Sequence, residues 1–465
     1  MIGRNTTLVI NEELHQQLHH HLYPGDGLEA AALLLVTRMA GRRLKLLARE
    51  VIPVPLEACA RRTRDSIIWP GEFVEQAISR AEEQDRLIIA VHSHPGGLFD
   101  FSSADDASDL VLMPALFHGT GQHCGSAVMI PTGAVKARLY DEHYVPVPID
   151  LVMRAGTTID LWWNSDSDER RTNRPLPFTS GMTGQLKRLS ACVIGVSGTG
   201  SIMAEQAARL GFGEVILIDF DKIELRNLNR ILNSRIEDAA INELKVKVFK
   251  RAIEGYRSDC DVVAVDSNIS TRAAALAACD ADVLFCCVDS AEGRHIADRL
   301  SAYFLMPLFD VGVSIPTRTL PTKEVVITEV CGRIDYVRPG GPTLRDRGVY
   351  SPALLEADYL ARVAPETYRA RVADGYLPGL SEEAPAVISL NMRAASACMM
   401  EFIARAFPFR HVDSRLRART IFTLTDGDED HYGEDDFPIS GDLVLGAGIE
   451  EPLLGLPALS VRSEP

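Results

Sequence analysis

The sequence predicts an α/β protein of two domains, a mixed α/β domain followed by one built on a parallel sheet, and three observations carry that expectation. At 465 residues the chain exceeds one ordinary core and suits two of average size. Its first part, to about Val152, alternates strand-like runs (Leu33 to Val36, Leu87 to Val91, Ala127 to Ile130) with helix-like ones. From Leu189 the order becomes strand, glycine turn, helix, strand: Ala191 to Ile194, GVSGTG, Ile202 to Leu210, Val215 to Ile218. That order is a βαβ unit.

Between these parts Trp163 to Arg174 (WNSDSDERRTNR) is polar and charged without apolar periodicity, and reads as an exposed linker. A further apolar strand, Val283 to Val288, and a helix-like stretch, Ser389 to Ala406, extend the second domain. Asp426 to Asp436 holds seven acids in eleven residues and reads as a solvated loop. The expected division is residues 1–160, a linker at 161–180, a second domain at 181–425, and an acidic loop with C-terminal tail at 426–465.

Composition bounds the function. With 46% hydrophobic and 24% charged residues the chain reads as globular, and no apolar run reaches the roughly 18 to 20 residues that span a bilayer. No membrane partner is expected. Met1 to Glu13 lacks the basic, apolar, small-residue order of a secretory signal, so cytoplasm is the expected location. The nine cysteines are scattered and never form C-x-x-C, which argues against a disulfide framework and a tetrathiolate metal site. Net charge is −16, from 48 basic and 64 acidic residues, which disfavours nucleic acid and suits a protein partner or small ligand.

The first chemical constellation is HSHPGGLFDFSSADDASD. His92 and His94 follow an apolar strand, and at i, i+2 both imidazoles point to one side. Seven residues separate His94 from Ser102, and two more separate Ser102 from Asp105. The Pro-Gly-Gly turn lets the chain fold back so that a carboxylate joins the histidines. Two nitrogens and one oxygen, with a fourth position open, describe a catalytic zinc site. Taken alone, Ser102-x-x-Asp105 is also a helix-start signal like a capping box, and the histidines alone could be satisfied strand residues.

Together, at this spacing, these residues resemble the JAMM motif of the MPN-domain (JAB-type) metalloproteases, over roughly residues 10 to 150. The resemblance implies a mixed α/β, cytidine-deaminase-like fold with zinc on His92, His94 and Asp105. Glu29, heading the apolar run AAALLLV, matches the family's earlier-strand glutamate, which implies that it activates water and shuttles its proton. Ser102 would then help hold the tetrahedral oxyanion. Family members cut isopeptide bonds or trim tails after a diglycine.

The second constellation is the turn Gly195-Val-Ser-Gly-Thr-Gly200, where glycines let backbone approach phosphates and the helix N-terminus attracts their charge. Ser197 stands where the middle glycine of G-x-G-x-x-G is usual, and a Rossmann-like NAD enzyme is the competing reading. Asp219, at the end of the next strand, suits ribose hydroxyls either way. Residues beyond that strand discriminate between the two. The run LIDFDKIELRNLNR, then Lys245, then Asp289 after VLFCCV resembles the adenylation domain of ubiquitin-activating enzymes and their ThiF and MoeB relatives, over about residues 170 to 425.

That resemblance implies a nucleotide site of Gly195, Ser197, Gly198, Gly200, Asp219, Asp221, Asn227, Arg230, Lys245 and Asp289. Asp219 would bind ribose, Arg230 and Lys245 the phosphates of ATP, and Asp289 Mg2+. Adenylation needs such cations because charge builds at the α-phosphate as pyrophosphate leaves. Arg174 resembles an arginine that reaches into a partner's site, which implies a homodimer. Where relatives carry two C-x-x-C pairs for a structural zinc, this chain reads PTLRDRG, with Thr343 and Asp346, so that zinc is expected to be absent. The crossover GYLPGLSEEAP has no transfer cysteine. Cys331, after VVITEV, and Cys398, in an apolar helix-like run, are the nearest alternatives; Cys286 and Cys287 read as buried strand residues, and Ser381 offers a hydroxyl.

The expected whole is a zinc peptidase fused to an ATP-dependent activator of a ubiquitin-like protein. Its partners would be a carrier ending in glycine and a conjugating enzyme. Such pairing resembles bacterial ubiquitin-like modification operons, some tied to phage defence. Sulfur-carrier activation for cofactor or amino-acid synthesis is one alternative; an ATP-holding scaffold attached to an active peptidase is another.

Overall fold

The computed structural model describes residues 6–164, 175–373, 376–377 and 387–461. Arg174, Ser381, most of the polar run after Trp163 and most of the GYLPGLSEEAP crossover lie outside them. The chain divides into two compact units: one takes in the described residues up to 164 with Tyr303–Leu305 and Val444–Glu450, the other the remainder.

The first unit runs β1 (Thr6–Asn11), α1 (Glu12–Leu22), β2 (Ala31–Ala40), β3 (Leu44–Pro53), β4 (Arg61–Arg62), β5 (Ile67–Ile68) and α2 (Glu72–Gln84). It continues with β6 (Leu87–Ser93), α3 (Ser103–Thr120), β7 (Cys124–Met129), β8 (Val135–Tyr140), β9 (Pro146–Pro148), β10 (Leu151–Ala155) and β11 (Ile159–Trp163). Nine strands form one mixed sheet in the order β11-β10-β1-β3-β2-β6-β7-β8-β9, while β4 and β5 pair as a separate hairpin. Trp163 ends β11 and so belongs to the sheet, a correction to its expected place in the linker. Its pairing with Leu151 holds it there.

The run AAALLLV is apolar throughout because β2 is covered on both faces. Leu34 and Val36 enter a core with Leu8, Leu46, Ile89 and the α1 residues Leu18 and Leu22. Leu33 and Leu35 enter a second core with Ile88, Ala90 and residues of α2 and α3. The alternation carries into β6, where Ile88 and Ala90 face α2 and α3. By the same parity His92 is directed toward the start of α3.

The second unit opens with α4 (Ser180–Leu186), β12 (Ser190–Ile194), α5 (Gly198–Leu210), β13 (Glu214–Ile218), α6 (Ile236–Ala240), α7 (Lys245–Glu254), β14 (Asp261–Val265), α8 (Arg272–Cys279), β15 (Val283–Cys286) and α9 (Ala291–Phe304). It closes with β16 (Leu308–Ser314), β17 (Thr317–Thr319), β18 (Val325–Ile327), β19 (Cys331–Val337), α10 (Pro352–Val363), α11 (Pro365–Ala373), α12 (Ile388–Ala406), β20 (Arg419–Thr423) and β21 (Asp428–Tyr432). The sheet order is β14-β13-β12-β15-β16-β19-β20-β21, parallel from β14 to β16 and antiparallel beyond. The order reverses between β12 and β15, so the loops after these two strands diverge and leave a crevice at their carboxyl ends.

Three expectations need correction. The strand expected to reach Val288 ends at Cys286, so Cys287 lies on the loop beyond. The acidic stretch from Asp426 is not all loop, because β21 pairs with β20 as an exposed edge strand. Nor is it all solvated: Glu434 is buried and accepts from Arg338 Nε at 2.8 Å. At PTLRDRG the loop is braced by side chains: buried Asp298 accepts from Leu344 N at 2.9 Å, Arg345 N at 3.2 Å and Tyr350 OH at 2.8 Å. Thr343 and Asp346 cap each other, with Thr343 N donating to Asp346 Oδ2 at 2.9 Å. No helix among the described residues is long and apolar enough to cross a membrane.

Candidate functional site

In the first unit His92 Nε2 lies 3.0 Å from His94 Nε2 and 3.0 Å from Asp105 Oδ1. His94 Nε2 lies 3.3 Å from Asp105 Oδ2. Among the described residues this is the one cluster of three or more such side chains whose ligand atoms converge, all within 4.8 Å of one another. Metal–ligand bonds near 2.0 Å in a tetrahedron separate neighbouring donors by about 3.3 Å, so the set fits a zinc-sized ion. His94 Nδ1 lies 2.8 Å from Leu98 O, so a neutral ring with its proton on Nδ1 would turn the Nε2 lone pair to a metal.

The electrostatics are those of a compact ion cluster. Asp105 is half-buried, which works against its charge, yet the hydrogen bonds from His92 and His94 hold it well below the usual carboxylate range. Burial likewise opposes charge on His94, but the bonds to Asp105 and Leu98 outweigh it and raise its pKa. Burial pushes Glu29 up to about 7; the charges of Asp105 and Asp65 add to this and His94 opposes it. Glu29, His92 and Asp105 line a cavity of about 100 Å³ with Ile67, Trp69 and Leu112. Ser102 is the N-cap of α3, accepting from Asp105 N at 3.2 Å while Asp105 Oδ2 accepts Ser102 N at 2.6 Å. The capping-box reading is therefore realised, and the hydroxyl proton stays free to donate.

Several supporting residues escape sequence reasoning. Ser93, between the two histidines, points the other way and its Oγ accepts Ala30 N at 2.9 Å. Arg62 Nε donates to Glu29 O at 2.8 Å, and Glu29 N donates to Thr63 O at 2.8 Å. Arg138 binds Asp106 at 2.6 Å and Asp109 at 2.7 Å, fixing the first turns of α3. Only the H-S-H spacing, by its parity, could have flagged one of these.

In the second unit nine of the ten expected nucleotide residues line one cavity of about 570 Å³. The tenth, Gly200, sits in the first turn of α5, where a Cβ would lie 1.7 Å from Gly195 O; no other residue fits. Gly195 has φ of +84°, a left-handed conformation that favours glycine. Lys245 Nζ donates to Ser197 Oγ at 2.6 Å and Asp221 Oδ2 at 2.7 Å, so Ser197 orients the lysine where a glycine could not. Burial raises the Asp219 pKa against the charge of Lys245, and its oxygens accept Val196 N at 2.6 Å and Asp221 N at 2.8 Å.

Asn227 Oδ1 is engaged with Glu224 N at 3.1 Å, and Arg230 Nη1 rests on Arg226 O at 3.1 Å. Asp289 O accepts Arg294 Nη1 at 3.1 Å, which orients the loop after β15. Cys287 and Asn391 also line the cavity, and neither is expected there from sequence. Glycine turn, two cations and the carboxylates of Asp221 and Asp289 together suit a magnesium-bound polyphosphate.

By architecture this is a two-unit α/β protein, one unit carrying a His-His-Asp cluster and the other a glycine-turn cavity at a sheet switch point. Comparison gives these units their families. Residues 11–141 match the family of prokaryotic homologs of the JAB domain, and residues 172–327 match the ThiF family, so the chain joins a JAB domain to a ThiF domain. It is 28% identical over 167 residues to ubiquitin-like modifier-activating enzyme 5 of Bombyx mori, covering 34% of this chain and 39% of the relative. It is 36% identical over 93 residues to tRNA threonylcarbamoyladenosine dehydratase of Haemophilus influenzae, covering 20% and 35%. The matched stretch thus spans about two fifths or less of these relatives. The microcin C7 biosynthetic enzyme MccB, solved with N-formylated MccA, aligns at TM-score 0.43 and 17% identity over 57% of this chain and 69% of that one.

Proposed function

We propose that the chain is a bifunctional enzyme of a ubiquitin-like protein system. One unit would be a zinc (iso)peptidase that trims or removes a carrier protein ending in glycine; the other would adenylate that carrier's terminal carboxylate with ATP and Mg2+. The observation that carries the reading is the convergence, in one chain, of the His92, His94 and Asp105 ligands with Glu29 and of the glycine cradle with Lys245, Arg230 and Asp289. Similarity to ubiquitin-like modifier-activating enzyme 5 of Bombyx mori supports the carrier class.

Zinc held by His92, His94 and Asp105 would supply Lewis acidity at the scissile carbonyl and a water of lowered pKa. Glu29, carboxylate or acid near pH 7, takes a proton from water and returns it to the leaving amine. The Ser102 hydroxyl donates toward the developing oxyanion, its own oxygen fixed by the α3 cap. In the second unit the carrier carboxylate attacks the α-phosphorus of ATP and pyrophosphate leaves. Lys245 and Arg230 stabilise the charge that builds there, Asp289 holds Mg2+, and Asp219 binds ribose. Arg174 would complete the site of a second copy, making a homodimer.

Thiol chemistry bears on where the forward reaction of this chain stops. Burial pushes Cys286, Cys287 and Cys398 up, and also Cys331, which is only half-buried. Burial disfavours these four thiols as nucleophiles, which supports transfer from the adenylate to a thiol elsewhere, such as a conjugating enzyme's, or to a hydroxyl such as Ser381. The same observation favours the second reading, in which sulfide consumes the adenylate of a sulfur carrier. ATP–pyrophosphate exchange with the cognate carrier tests the activity, and thiocarboxylate against lysine conjugate separates the two fates. Exchange at background with that carrier would refute the activator.

A further inference from the structure

Helix α12 turns an almost wholly apolar face inward: Leu390, Ala394, Ala395, Cys398, Met399 and Phe402 are buried. Two charged residues on it, Glu401 and Arg405, are also buried and pair with each other at 2.7 Å. Asn391 is different. It is 2% exposed, and among the described residues no group hydrogen-bonds to its carboxamide. A carboxamide bonded to no described residue leaves its hydrogen-bonding capacity to whatever enters the space beside it.

Position supplies the reason. Asn391 lines the cavity that also holds Lys245, Arg230 and Asp289. A Cβ placed on Gly198 would lie 2.4 Å from Asn391 Nδ2 and 3.6 Å from Arg230 Cδ, so the amide and the arginine both press on the first residue of α5. Gly198 yields room for the amide, and the amide overhangs a helix N-terminus where an anion sits well.

We propose that Asn391 is a further nucleotide-binding residue, its carboxamide donating a hydrogen bond to a phosphate oxygen of a nucleoside triphosphate seated over the Gly195–Gly200 turn. This rests on the nucleotide reading of the cavity. The triphosphate supplies an acceptor that no described residue supplies, and the amide, being neutral, adds direction without adding charge to the two cations already present. Carboxylate in its place would repel the same oxygen.

The test is calorimetric titration of the full chain with Mg2+ and the α,β-methylene analogue of ATP. Asn391→Ala should bind roughly tenfold more weakly and Asn391→Asp roughly a hundredfold, the range for a lost charge-assisted hydrogen bond and for an added repulsion. Thermal melts of both variants without nucleotide should match the parent. Binding by both variants within about twofold of the parent would overturn the proposal. If a variant does not fold, a crystal structure of the parent with the analogue decides: Nδ2 within hydrogen-bond distance of a phosphate oxygen supports it, and an amide bonded only to water overturns it. A parent that binds the analogue but exchanges no pyrophosphate would sink adenylation and leave the Asn391 comparison intact, whereas a parent that binds nothing sinks both.

Discussion

The two candidate sites differ in how the protein holds their groups. In the first unit the ligands come from the end of one strand and the first turn of one helix, and they already bond to one another at 3.0 to 3.3 Å. In the second the groups come from loops and from the first turns of α5, α7 and α12, spread between Gly195 and Asn391; some are engaged, such as Lys245, and the Asn391 carboxamide is bonded to no described residue. If the first set holds zinc, its ligands are gathered by contacts to one another. A nucleotide cradle is completed by what it binds.

The contrast is sharpest at the reacting groups. Glu29→Gln should cut cleavage of a cognate carrier fusion by roughly a thousandfold while zinc content, read by mass spectrometry, stays stoichiometric, because Glu29 is no ligand. Normal cleavage by that variant would break the assignment of the base. Lys245→Ala should lower ATP–pyrophosphate exchange by roughly a hundredfold and leave zinc and cleavage alone. A joint loss of both activities would mean that the two sites are not independent.

Stability separates the units next. Burial lowers the His15 pKa to about 4, with its Nε2 held by Gly133 O at 2.7 Å. Its folded pKa is depressed, so the unfolded chain binds the extra proton between about pH 6.5 and pH 4. Stability of the first unit should therefore fall by up to about 3 kcal/mol as pH drops through that window, and His15→Gln should flatten the slope in urea titrations. In the second unit Asp298→Asn should cost about 2 kcal/mol by loosening the 343–347 loop, and a chelator should leave its melting unchanged. Chelator-induced melting there would reveal a metal in place of the side-chain brace.

Legibility follows the range of the contacts. His92 and His94 are readable because strand parity forces them to one side, and Asp105 because a turn and a helix start return the chain within a few residues. The glycine turn is readable because Gly195 and Gly200 are the residues that their backbone demands. Arg62 is not, since it meets Glu29 from 33 positions away with no periodic signal. Asn391 is hidden for the same reason, 193 positions beyond the glycine it touches. Cys287 is misplaced by sequence because an apolar run does not mark the residue where pairing stops. The role of the Thr343 and Asp346 loop is legible only as an absence; its brace, Asp298, sits on α9, 46 positions before Leu344.

The edge strand β21 carries one further consequence. Its five residues, DEDHY, are all exposed, and it closes the end of an eight-stranded sheet. An open sheet edge offers unpaired backbone groups that any extended segment of a neighbouring molecule could adopt. Three carboxylates in a row make that edge a fence: a second molecule approaching with its own copy meets like charge before it can form a single rung. The acidic stretch, far from either centre in sequence, would then help keep concentrated protein from stacking into fibres.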